Sequence, residues 1–198
     1  MEIKRTKTGW TMNGKVQNEL DRFVNDCIAV VKRHLRYVIV SGYVVIVLGR
    51  SRGTEDIDML IEPVDRAKFK DFYDDSLSSG LEFLNPEDAD GLHEMLEGRT
   101  CIRMSRKGMF IPNIEIKYAR EQVALEALEK RESLKMGHHQ LFISPIEIQI
   151  PYKLKLGSSK DIEDAIYLWE LLKDKLDVKK LRMYMIKMGV KGDLHGIG

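Results

Sequence analysis

The sequence predicts a mixed α/β fold in its first half and a mainly helical second half. Three observations carry this. The run Tyr37–Glu62 reads as an apolar strand, a small-residue break, a second apolar segment, a polar loop and a strand with acids at alternate positions. Thr100–Met104 and Met109–Tyr118 read as two further strands around a turn at Ser105–Gly108. Beyond Arg120, apolar residues recur mostly at helical spacing, with cap signals between the runs. The expected division is an α/β core over residues 1–118 and a helical C-terminal subdomain over 119–198.

Residues 1–15 are polar and glycine-bearing, and the sequence makes no assignment there. From Gln17 to Leu35 the residues Leu20, Phe23, Val24, Cys27, Ile28 and Val31 recur as on a helix face. Tyr37–Val40 is β-branched and strand-like, and Ser41-Gly42 ends it. Tyr43–Leu48 fits either a short buried helix or a second strand; the glycine turn before it favours the helix. Gly49–Glu55 is a loop. Ile57–Ile61 is a strand that Pro63 stops. Asp65 caps a helix through Leu77, with Gly80 beyond its end. Asn85-Pro86-Glu87-Asp88 has the form of a helix start, with Gly98 past the end. The next helix runs from Arg120 to Leu134. Ser144-Pro145-Ile146-Glu147 matches a capping box, and Pro151 is expected to kink or restart that helix. Ser159 and Asp177 precede two more apolar stripes, and Lys191–Gly198 reads as a loose tail.

Composition narrows the class. At 198 residues and 43% apolar, the chain is large enough to bury a core. Its net charge of +1 gives no global basic field for nucleic acid. Cys27 and Cys101 fit no zinc or redox spacing, which suits a reducing cytoplasm. The N-terminus has no signal-peptide core and no apolar run reaches membrane-spanning length, so no membrane association is expected.

The chemistry concentrates at Asp56 and Asp58. Residues two apart on a strand share a face, so these carboxylates stand together roughly 7 Å apart, while Ile57, Met59 and Ile61 face the core. Paired carboxylates suit hard divalent ions such as Mg2+. A two-metal site, with ions about 3.5–4 Å apart, usually takes a third acid. Glu115, between Ile114 and Ile116, has the form of that acid on an adjacent strand, with Asn113 and Lys117 on its face. The hairpin Arg99, Arg103, Arg106 and Lys107 is basic, and reads as a solvated turn.

The run VSGYVVIVLGRSRGTEDIDMLI resembles the signature of the DNA polymerase β-like nucleotidyltransferases: an apolar strand, Gly-Gly or Gly-Ser, a spacer, then Asp-apolar-Asp/Glu-apolar. The resemblance implies a nucleotidyltransferase-type mixed sheet with flanking helices and a C-terminal helical subdomain. It implies that Ser41 and Gly42 contact phosphates, that Asp56 and Asp58 bind Mg2+ (or Mn2+), and that Glu115 completes the triad and helps activate an attacking hydroxyl. Arg52-Gly53-Thr54 matches an Arg-x-Thr that often precedes the acids. Ser41 stands where the family usually has glycine; if Gly42 is instead the first glycine, Tyr43 replaces the second small residue.

SPIEIQIPYKLKLGSSKDIEDAIYLWELL is similar to the C-terminal region of the small prokaryotic branch that includes abortive-infection type toxins. The matching residues are Lys153 (with Lys155 as the alternative), Lys160, Asp161 and Asp164, which the resemblance carries toward the nucleotide. It implies transfer of a nucleoside monophosphate from a nucleoside triphosphate to a hydroxyl of RNA, protein or a small molecule, releasing pyrophosphate. It also implies a cognate toxin–antitoxin partner. The rival reading is a non-catalytic nucleotide-binding or partner-binding module on the same fold.

Overall fold

The computed structural model describes residues 1–197, and the N-terminal stretch forms a hairpin, β1 (Glu2–Thr6) and β2 (Gly9–Asn13). Gly9 lies at φ 144°, and a Cβ there would run into the backbone of Ser133. Only glycine lets β2 approach its neighbour this closely. Asn18 then opens α1 (Glu19–His34) with a capping box: its side chain accepts from the Asp21 N–H at 2.8 Å, and Asp21 accepts from the Asn18 N–H at 3.1 Å. The stripe Phe23, Val24, Cys27, Ile28 and Val31 is buried as its spacing requires.

β3 (Tyr37–Ile39) is followed by α2 (Gly42–Val47), so the helical reading of the second apolar segment holds. β4 (Asp56–Ile61) alternates as expected, with Ile57, Met59 and Ile61 in the core. Asp65 caps α3 (Arg66–Ser78) through the Lys68 N–H at 2.8 Å. A short strand, β5 (Leu81–Phe83), follows. α4 (Ala89–Glu97) starts at Asp88 rather than Asn85. Asn85 instead accepts from the Arg103 N–H at 2.7 Å, which ties its side chain to the sheet.

β6 (Ile102–Arg106) runs through Ser105 and Arg106, where a turn was expected, and β7 (Asn113–Tyr118) begins later than expected. Hairpin registry explains the shift: Ile102 pairs with Ile116 and Met104 with Ile114, which buries all four on one face.

α5 (Gln122–Glu129) ends five residues before the expected Leu134. The chain turns into β8 (Glu132–Met136) and β9 (His139–Ile143), a hairpin in place of helix and loop. α6 (Ile146–Leu156) runs through Pro151 without a break. The expected capping box at Ser144 does not form. Glu147 is buried, lies 3.4 Å from Arg5, and accepts from the Asp177 N–H at 3.0 Å. Ser158, not Ser159, caps α7 (Ser159–Leu172), and Asp177 caps α8 (Val178–Met188). In the tail, Asp193–His195 forms a short turn and Ile197 is buried; Gly198 lies outside the described residues.

All strands join one mixed sheet in the order β1-β2-β8-β9-β3-β4-β7-β6-β5. The sheet therefore takes strands from both sides of Tyr118. The pairs β2/β8, β3/β9 and β4/β7 are parallel and the others antiparallel. Among the described residues, no helix is long and apolar enough to cross a membrane.

Leu134 is fully buried in β8 between the N-terminal hairpin and β9. Leu134→Ala lowers the unfolding free energy by about 2–5 kcal/mol, measured by urea denaturation. A near-neutral result would mean that the β8–β9 hairpin is not integral to the core.

Candidate functional site

β4 and β7 run parallel, and their register pairs Asp56 with Asn113, Asp58 with Glu115, and Leu60 with Lys117. Neighbouring strands lie about 4.8 Å apart, so Asp58 and Glu115 stand side by side on one face. Asp56 is one step along that face, its carboxylate accepting from the Thr54 hydroxyl at 3.1 Å. The expected acids are thus adjacent.

The turn after β3 reaches the same place. Val40 donates its N–H to Asp58 O at 3.0 Å, which fixes Ser41 beside the acids. Ser41 has φ 61° and ψ −133°, a conformation favourable to glycine. Its side chain favours the ionised form of Asp58, and Gln149 on α6 donates to its carbonyl at 2.9 Å. Tyr43 does not crowd the turn. Its ring is buried and its hydroxyl donates to Asp21 at 2.8 Å. Burial and the Asp21 charge push the phenol above its usual range, so it stays protonated.

Glu115 is held by two cations. Arg103, its partner across the β6–β7 hairpin, donates to Oε1 from Nε at 2.9 Å and Nη2 at 2.7 Å. Lys117 Nζ lies 3.4 Å from Oε2 and also 3.8 Å from Asp58 Oδ1. Burial raises the Asp58 pKa from its ordinary 3.8, and the Asp56 and Glu115 charges add to this. Lys117 and the Ser41 side chain oppose them.

A second cluster lies on the other side of the turn. Asp164 is fully buried and carries three cations: Arg50 Nη1, Arg52 Nη2 at 3.1 Å and Lys153 Nζ at 2.9 Å. Asp161 holds Lys153 at 2.6 Å. Burial pushes Asp161 upward, but the hydrogen bonds from Lys153 and Ser158 outweigh it and hold the carboxyl below its usual value. Lys153 is only 2% exposed, so its ammonium is enclosed by carboxylates rather than open to solvent. Arg52 lies over Gly42, where any Cβ would strike Nη2. Glycine at 42 leaves the space that the guanidinium fills where it meets Asp164.

Two cavities flank the row of acids. One, of about 790 Å3, contains Ser41, Asp58 and Lys117 at one end, with Leu60, Ile148 and Leu156 among its apolar walls. The other, of about 940 Å3, contains Asp56, Glu115, Arg103 and Lys160, with exposed Phe110 on its lining.

The donor set fits a hard divalent ion. It is all carboxylate oxygen, and Lys117 already supplies positive charge between two of its members. As the side chains stand, no three His, Cys, Asp or Glu among the described residues converge on one metal position. The residues missed by sequence reasoning are Arg103, Arg50 and Lys117 as partners of these acids. The hairpin register that sets Arg103 opposite Glu115 was the available signal.

No protein-family model and no curated protein matches the sequence. Solved structures do resemble the fold. An antigenic nucleotidyltransferase-like protein from Paracoccidioides brasiliensis matches with TM-score 0.50 and 19% identity, over 83% of this chain and 85% of that one. The antibiotic-resistance factor ANT(2'')-Ia matches with TM-score 0.51 and 12% identity, over 84% and 89%. JHP933 from Helicobacter pylori matches with TM-score 0.50 and 14% identity, over 83% and 72%. At these identities the likeness speaks to the fold, and the mixed sheet with flanking helices is of nucleotidyltransferase type.

Two outcomes follow for stability. Asp164→Asn costs about 3 kcal/mol, the lower end for breaking a buried pair, because Glu163 and Asp161 still hold Arg50 and Lys153. Chemical denaturation measures it, and an unchanged midpoint would show that the cluster is not structural. Asp58 works the other way. Its raised pKa means the native state holds the proton more firmly than the unfolded chain. Its contribution therefore falls as pH rises from 3.8 through the raised native value, and stays low at neutral pH. Asp58→Asn removes this penalty, so its melting temperature at pH 7 exceeds that of wild type. The gain shrinks toward pH 3.8; a gain independent of pH would refute the burial argument.

Proposed function

We propose that this chain is a metal-dependent nucleotidyltransferase that moves a nucleoside monophosphate from a nucleoside triphosphate to a hydroxyl, releasing pyrophosphate. The observation that carries this reading is the register of Asp58 with Glu115 beside the Ser41-Gly42 turn. Asp56, Asp58 and Glu115 would hold Mg2+ or Mn2+, which supplies charge neutralisation for the triphosphate and the leaving pyrophosphate.

The other roles belong to the chain. The Ser41-Gly42 turn receives phosphate oxygens, and Arg52 lies directly over it as a cationic partner. Lys153 acts at a distance: enclosed by Asp161 and Asp164, it positions the carboxylate that aims Arg52. Glu115 accepts the proton of the attacking hydroxyl. The acceptor oxygen bonds to the α-phosphorus, the bond from that phosphorus to the bridging oxygen breaks, and pyrophosphate departs with the electron pair.

The similarity of Lys153–Asp164 to the abortive-infection branch favours RNA or protein as acceptor over a small molecule, and a toxin–antitoxin partner. The net charge of +1 argues against tight non-specific RNA binding, so an RNA acceptor would be recognised at a defined end.

The test is incubation with each α-labelled nucleoside triphosphate, Mg2+ or Mn2+, and total RNA or cell lysate. Wild type transfers label. Asp58→Ala lowers transfer by at least about 100-fold, because metal charge stabilisation is worth several kcal/mol and about 1.4 kcal/mol is a factor of ten. Transfer that persists in Asp58→Ala would sink the metal assignment. Triphosphate binding without transfer to any acceptor would favour the non-catalytic module.

A further inference from the structure

The row of acids carries its own counter-ions. Asp56, Asp58 and Glu115 bring three negative charges to one strand face; Arg103 and Lys117 bring two positive ones. The two cations are held differently. Arg103 makes two short hydrogen bonds to a single oxygen of Glu115. Lys117 donates one long hydrogen bond to Glu115 Oε2 at 3.4 Å and lies 3.8 Å from Asp58 Oδ1, and its side chain is 45% exposed. Arg103 is thus fixed at the hairpin, while Lys117 is a loosely held ammonium on a flexible four-carbon stem.

Lys117 also reaches its place by strand periodicity. It is two residues beyond Glu115 in β7, so it shares that face, and its register partner is Leu60, two residues beyond Asp58. The ammonium reaches back toward both carboxylates from the same side. It lines the cavity that also contains Ser41 and Asp58, so open space lies beside it.

A divalent ion shared by Asp58 and Glu115 would need their oxygens at about 2.0–2.1 Å for Mg2+. The Lys117 ammonium lies within 4 Å of both carboxylates, so the two cations would occupy overlapping positions and repel. Resting on the nucleotidyltransferase reading above, we infer that Lys117 is a built-in counter-ion that closes the acid pair to bare divalent cations, and that metal binds only when this side chain swings into the adjoining cavity. Lys117 is then a positioning residue that sets metal affinity.

The experiment is Mn2+ binding followed by electron paramagnetic resonance, without nucleotide. It compares wild type, Lys117→Met, Lys117→Arg and the double variant Lys117→Met with Asp58→Asn. Methionine keeps the length of the stem and removes the charge; arginine keeps the charge. Lys117→Met binds bare Mn2+ on the order of tenfold more tightly than wild type, within the range typical of coupling between sites. Lys117→Arg stays weak. Equal affinity of wild type and Lys117→Met would overturn the counter-ion role while leaving the metal reading intact. Tight Mn2+ that survives in the double variant would remove the metal reading at Asp58, and this inference with it. Circular dichroism spectra of the single variants that match wild type, with one cooperative unfolding transition each, confirm that they fold.

Discussion

The parallel pairing of β4 with β7 is the constraint on which the rest depends. One face of this pair is core: Ile57, Met59, Ile61, Ile114 and Ile116 are all buried. The other face carries Asp56, Asp58, Glu115 and Lys117. Because side chains alternate, a slip of one residue would exchange the faces and bury the acids. The hydrophobic effect that aligns the isoleucines therefore also sets the register of the carboxylates. β3 and β6 flank the pair, one ending in the Ser41 turn and the other presenting Arg103.

Asp164 performs the corresponding task between the sheet and the C-terminal helices. Three cations from two segments, the loop before β4 and helix α6, converge on one buried carboxylate of α7. A buried charge is costly unless matched, so the loop from Gly49 to Glu55 is drawn against α7 and Arg52 is laid over Gly42. The loop contains little apolar side chain that could otherwise order it. Its position is electrostatic, which makes the phosphate-turn region sensitive to substitutions at α7.

The acids were legible in the sequence because strand alternation is local: D-I-D and I-E-I show their faces within a few residues. The helical assignment of Gly42–Val47 and the caps at Asp65 and Asp177 were legible for the same reason. The β8–β9 hairpin was not. Leu134, Met136, Leu141 and Ile143 do alternate and are buried, but a two-residue turn at Gly137-His138 interrupts them, and α5 runs into them without a strong stop. Their strand character depends on β2 and β3, more than ninety residues away. Ion-pair partners were harder to read: Arg50 with Asp164 depends on loop placement, and Arg103 with Glu115 follows only once the β6–β7 register is known. The isolated lysine of the family-like motif illustrates the difference, since Lys153 was expected near phosphate and lies enclosed by Asp161 and Asp164.

Ser41 is where local preference and the site disagree most. A residue with a Cβ at φ 61° and ψ −133° carries a backbone cost of order 1–3 kcal/mol, which glycine would avoid. The serine is retained at a position fixed on three sides: Val40 bonds to Asp58, Gln149 to the Ser41 carbonyl, and Gly42 starts α2. Its side chain opposes the burial and like charges that favour protonation of Asp58. Glycine would relieve the backbone but leave Asp58 with only Lys117 to support its charge. The serine thus adds to Lys117 in favouring the charged form of Asp58, against burial and the neighbouring acids that still raise its pKa.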